Sequence, residues 1–142
     1  MNEELSRSEY LVLSRGQWDK GASKEDIEAA IHKFYDWYER NLKEGRMKTG
    51  SRLSTEAAMV SKSGIVTDGP FGEGKEIIGG YWFIVARNLR EAANLAAQNP
   101  CAKYGLSFEI RPLEPERASA YKLANETPTT ESSSVVLQSG TL

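Results

Sequence analysis

Cysteine occurs once in this chain, at Cys101, and histidine once, at His32. A single thiol cannot close an internal disulfide, and an unpaired cysteine fits a reducing compartment. One residue of each kind offers no convincing His/Cys set for a transition metal. A Ser-His-Asp arrangement would have to be built on His32, which the helical pattern turns towards Glu28 and Asp36, away from the apolar stripe. No apolar run approaches the ~18–20 residues that a bilayer-spanning helix needs. Basic residues are not in excess either: 18 Lys and Arg stand against 20 Asp and Glu, for a net charge of −2. The chain therefore has no electrostatic pull towards nucleic acid or an anionic membrane. The opening Met-Asn-Glu-Glu-Leu-Ser-Arg is polar and acidic, unlike a secretory signal. The expectation is a soluble, cytoplasmic protein with no membrane partner and no direct nucleic-acid partner. Its 142 residues are enough for one core.

What is present divides into periodic segments and turns. Glu9 to Arg15 alternates like a strand with two partly apolar faces. Gly16 to Ala22 is a loop carrying Trp18. Ser23 followed by Asp26 resembles a capping box and opens a helix, whose buried stripe is expected at Ile27, Ala30, Ile31, Phe34, Tyr38 and Leu42. Gly45 stands at its C′ position. Arg46 to Leu53 reads as a strand in which Gly50 marks a bulge or a close backbone approach. Ala57 to Lys62 and Ile65 to Thr67, joined through Ser63-Gly64, read as a hairpin. Gly80 to Ala86 is a nearly continuous apolar strand. Asn88 with Glu91 three residues on starts a second helix, stopped by Asn99-Pro100, and Leu106 to Arg111 is the last strand.

Setting the hairpin aside leaves βαββαβ, the ferredoxin-like order of an α+β fold with both helices on one face of an antiparallel sheet. Helices can cover only one face, yet Tyr81 to Val85 presents bulky side chains to both. A second subunit is expected on the other face, as a homodimer, with a folded-back tail as the alternative cover. Three regions follow: a 1–8 extension, a 9–113 domain, and a 114–142 tail rich in Glu, Ser, Thr and Pro that reads as flexible.

The candidate site centres on Thr67-Asp68-Gly69-Pro70-Phe71, where Gly69 admits positive φ and Pro70 fixes its own. Asp68 either caps this turn or, partly buried against Phe71 and Tyr81, acts as a general acid/base with a raised pKa. Arg15 and Arg52, near strand ends, are candidates for an anionic substrate, the alternative being surface ion pairs. Trp18, Trp82 and Tyr104 either line a pocket or pack in the core or an interface. Gly69 to Lys75 fits the first seven positions of a phosphate-binding loop, but Glu76 replaces the Mg²⁺-ligating Ser or Thr and a strand follows instead of a helix. No cofactor is implied.

These residues, in order, resemble the YCII-related superfamily and its DGPF branch. The resemblance rests on Leu11 to Gly16, Gly50-Ser-Arg-Leu53, Val66-Thr-Asp-Gly-Pro-Phe71, Lys75-Glu76, Gly79-Gly80 and Glu109-Ile-Arg-Pro-Leu113. It implies a dimeric α/β-barrel type of ferredoxin-like fold, a cleft for a small molecule, and in related members an Asp-His pair, which His32 does not obviously supply. It also implies a link to transcriptional regulation as an accessory. Two functions stand as expectations. One is a small isomerase- or lyase-like enzyme with Asp68 as general acid/base and Arg15, Arg52, Phe71 and Tyr81 holding a small anionic substrate. The other is a non-catalytic module that binds a small ligand or a protein.

Overall fold

The computed structural model describes residues 6–67, 69 and 76–129. Strand β1 (Ser8–Arg15) leads into helix α1 (Lys24–Lys43), and β2 (Met47–Arg52) returns beside it. A hairpin, β3 (Met59–Ser61) and β4 (Gly64–Val66), precedes β5 (Ile78–Ala86), α2 (Leu89–Ala96), a 3₁₀ turn (Pro100–Tyr104) and β6 (Ser107–Pro112). The main sheet is antiparallel in the order β2-β5-β1-β6, compatible with the ferredoxin-like arrangement, and the hairpin forms a separate two-stranded sheet.

Local chemistry sets the helix ends. The Ser23 hydroxyl accepts the Asp26 N–H at 3.0 Å, and the Asn88 side-chain oxygen accepts that of Glu91 at 2.8 Å, so each helix has one otherwise orphaned donor satisfied. At the far end of α1, Gly45 takes φ +78, a conformation that costs a residue with a Cβ, and donates to the Leu42 carbonyl. The Asn99-Pro100 pair does more than stop α2. The Asn99 side chain caps the 3₁₀ turn by accepting from the Cys101 N–H at 2.9 Å, and Pro100 occupies the first turn, where its missing N–H is no loss.

Alternation along the strands assigns the sheet faces. Tyr10 and Val12 of β1 and Trp82, Ile84 and Ala86 of β5 are buried in one cluster with Trp37 of α1 and Ala92 and Ala96 of α2, so both helices cover this face. Each large apolar side chain buried here contributes about 1.5–3 kcal/mol. The stripe of α1 is centred differently from the expectation: Ala30, Trp37 and Asn41 are its buried residues, with Phe34, Tyr38 and Leu42 packed at the margin. Asn41 is tolerated because both ends of its amide are used, donating to the Trp37 carbonyl at 2.8 Å and accepting from Arg46 Nε at 2.8 Å. Trp37 Nε1 donates in turn to Gln98, tying α1 to the end of α2.

Gly50 fulfils its expectation. The β2–β5 register shifts between Lys48 and Ser51, a bulge, and a Cβ on Gly50 would overlap the Tyr81 carbonyl. Gly80 across the ladder is less crowded, though a Cβ there would still come within 2.9 Å of the Ser51 carbonyl oxygen. At Gly21 an added Cβ meets nothing within 4 Å. Gly50→Ala should therefore force the two backbones apart and cost about 1–3 kcal/mol, read as a lower urea midpoint, while Gly21→Ala stays within about 0.5 kcal/mol of the parent. Equal midpoints for the two variants would remove the close approach from the account.

Candidate functional site

Two of the expected site residues, Asp68 and Phe71, lie outside the described residues. The other three meet at one end of the main sheet, where β1 and β2 finish and β5 begins. Arg15 is the last residue of β1, Arg52 the last of β2, and Tyr81 lies near the start of β5. Backbone bonds from Gly16 N–H to the Ile77 carbonyl at 2.9 Å and from Leu53 N–H to the Gly79 carbonyl at 2.8 Å hold this end together.

Within that end the register separates them. Ser51 and Leu13 both pair with Tyr81, so the three share a row on the face away from the helices, and Glu109 extends it through Leu13. Arg52 pairs with Gly80, and Gly80 with Ser14, in the next row, which belongs to the helix-covered face. Tyr81 and Trp82 likewise point to opposite sides: Tyr81 meets Phe83 edge-on, with centroids 6.1 Å apart, whereas Trp82 is buried against Phe34, Tyr38 and Phe108. They therefore do not wall one cleft together. Trp82 Nε1 is enclosed in this aromatic group and has no hydrogen-bond partner among the described residues.

The two arginines also differ in their commitments. Arg15 Nε donates to Glu109 Oε1 at 2.5 Å, and Arg111 donates to the other oxygen of the same carboxylate at 3.1 Å. The guanidinium of Arg15, followed by that of Arg111, holds the Glu109 carboxyl below the usual carboxylate range. Arg52 has an exposed side chain and no ion pair among the described residues, which leaves it the better placed of the two to meet an anion. Sequence reasoning missed Glu109 as the partner of Arg15; the pair is 94 residues apart and follows only from the β1–β6 register.

The remaining face away from the helices is apolar at its centre. Leu11 and Leu13 of β1 lie beside Tyr81, Phe83 and Val85 of β5, all half-buried. Charged residues frame them: Lys48 donates to Glu9 at 2.5 Å on one side, and the Arg15–Glu109–Arg111 group stands on the other.

The other reactive side chains lie elsewhere. His32 is exposed on α1, with Nε2 3.1 Å from Glu28 Oε2. Cys101 is buried, its thiol aimed at the Ala30 carbonyl, and burial pushes its pKa up to about 11, so it stays protonated at neutral pH. Among the described residues no group of three His, Cys, Asp or Glu side chains is placed to hold a metal ion, and no helix is long and apolar enough to cross a membrane.

The Glu109 group has a measurable signature. Its folded pKa lies below its unfolded value, so its stabilisation is present above the ordinary carboxylate range and is lost as pH falls through the depressed folded value. With Arg15 and Glu109 side chains 28% and 31% exposed, solvent screening limits the effect to about 1 kcal/mol or less. Glu109→Gln should flatten this part of the stability–pH curve, and salt near about 0.5 M should shrink the difference. Parallel curves for parent and variant over that acidic window would show that the pair contributes nothing.

No curated protein matches the chain. The family model of the YCII-related domain matches residues 9–117. That span opens in β1 and closes beyond β6, taking in all but the first residue of the four-stranded sheet, both helices and the end of the sheet where Arg15, Arg52 and Tyr81 meet. On that coverage the chain belongs to the YCII-related domain family.

Proposed function

We propose that this protein works as a homodimeric binding module of the DGPF type, joined through the face of the main sheet that the helices leave uncovered. The observation that carries the reading is the apolar group Leu11, Leu13, Tyr81, Phe83 and Val85 at the centre of that face, framed by ion pairs. An apolar centre with a charged rim is the usual composition of a subunit interface. A two-fold axis through the sheet would set the same patch against itself, so one sequence feature satisfies both subunits. Two sheets packed in this way would form the α/β-barrel type of assembly. The buried, unpaired Cys101 is in keeping with a cytoplasmic setting.

Binding is favoured over acid–base catalysis by how the polar groups are used. The imidazole of His32 is engaged with Glu28 on an exposed helix face, and the Arg15 guanidinium with Glu109. Arg52 is left to receive a small anionic ligand at the end of the sheet. Asp68 as general acid/base on such a ligand is the further step that would make the same module an enzyme. Sedimentation and light scattering test the assembly directly. The parent chain should run as a dimer, and Phe83→Glu, which places a carboxylate at the centre of the patch, should run as a monomer with unchanged far-UV circular dichroism. A monomeric parent at about 100 μM, well above the concentration at which a specific dimer persists, would overturn the reading.

A further inference from the structure

The β3–β4 hairpin carries four apolar side chains that are each more than half exposed. Met59 stands opposite Val66 and Val60 opposite Ile65, so alternation puts one pair on each face of the ribbon. Both faces are apolar but unequally open: Val60 and Ile65 are 74% and 70% exposed, Met59 and Val66 55% and 52%. Lys62, at the tip, is the only charged residue between Glu56 and Thr67. Neither strand pairs with the main sheet. Such a ribbon has little to hold it in water and nothing with which to recognise a charged polymer, and it fits an apolar surface.

The hairpin is continuous with the sheet face away from the helices. The chain leaves β2 towards it through Leu53, whose N–H donates to the Gly79 carbonyl at 2.8 Å. Ser51 pairs with Tyr81 on that face, so Leu53, two residues on, falls on the same side and is 44% exposed. Area gives a reason for face and ribbon to act together. Leu11, Leu13, Tyr81, Phe83 and Val85 are half-buried and offer only about 300 Å² between them. A subunit's share of a specific interface is ~800 Å², of which roughly 500 Å² is apolar. Leu53, Val60 and Ile65 add about 200 Å², which closes the gap. Reach suffices as well: Leu53 to Lys62 is up to about 30 Å of extended chain, whereas four strands are only about 15 Å across.

We infer that the hairpin is an arm that crosses the two-fold axis and lays its Val60–Ile65 face on the sheet of a second copy of this chain. The inference rests on the sheet-face dimer proposed above and names a part of its interface that lies outside the sheet. Symmetry makes the exchange reciprocal, so each subunit gives one arm and receives one. Seating offsets the weakness of the ribbon's own ladder, because its more open apolar pair leaves water against the partner. Met59 and Val66, the better covered pair, stay on the outer side.

The test compares full-length variants by sedimentation equilibrium and mixed dimers by NMR. Val60→Lys/Ile65→Lys alters exposed hairpin positions only, so the core folds as in the parent, and the dimer dissociation constant should rise at least about tenfold. Met59→Lys/Val66→Lys, on the outer face, should leave it within about threefold. In dimers of one ¹³C-labelled and one unlabelled chain, isotope-filtered NOEs should run from the Val60 and Ile65 methyls to the unlabelled chain. A dimeric parent whose Val60→Lys/Ile65→Lys variant associates as tightly would overturn the arm and leave the sheet-face dimer standing. Methyl contacts confined to their own chain, or equal weakening by the two double variants, would do the same. A parent that is monomeric at about 100 μM would overturn both.

Discussion

Strand β5 has apolar side chains on both faces, and the rest of the molecule is arranged around the need to cover them. It lies between β2 and β1 in the sheet, so its backbone groups are satisfied from both sides. Trp82, Ile84 and Ala86 draw α1 and α2 onto one face. Among the described residues, Tyr81, Phe83 and Val85 on the other lie beside Leu11, Leu13 and the charged side chains around them. The glycines at 50 and 80 serve the same strand, because without side chains they let β2 close on it at the point where the ladder bulges. A strand committed on both faces cannot slip by one residue without exchanging its entire buried set, which gives the sheet a single register.

How much of this was legible in the sequence depended on whether the physics was local. The caps at Ser23 and Asn88, the closure at Gly45 and the crowding at Gly50 were readable because each is decided within a few residues or by the absence of a Cβ. The burial of Asn41 was not, since an amide enters an apolar stripe only if its partners, here the Trp37 carbonyl and Arg46, are in place. The same limit hid Glu109. Arg15 was recognised as a charge at a strand end, but what it faces is set by a pairing that joins distant parts of the chain. Asn99-Pro100 was read as a stop signal, correctly for α2, while its second use as the start of a 3₁₀ turn required seeing that the chain goes on to cap itself.

The end of the sheet illustrates why a cluster of candidate residues is not yet a site. Arg15, Arg52 and Tyr81 converge there, but alternation sends them to two different faces, and one arginine is already engaged. The fold therefore divides polar work between regions. The sheet face away from the helices combines apolar side chains with ion pairs. The helix side keeps two buried donors that have no partner among the described residues, Trp82 Nε1 in its aromatic enclosure and Asn99 Nδ2 at the start of the 3₁₀ turn. Family membership explains the common scaffold but not this distribution, which comes from individual side chains.

The hairpin formed by β3 and β4 pairs with neither edge of the main sheet. Met59 faces Val66 and Val60 faces Ile65, and all four are more than half exposed. A two-stranded ribbon gains too little from its own ladder to be firmly held in water. Its opening is therefore energetically separate from that of the core: amides in Met59–Val66 would trade their hydrogens with solvent at a cost unrelated to the global unfolding free energy. Within a single chain the hairpin can thus open while the core stays folded, and a change confined to it would leave the melting of the core almost untouched.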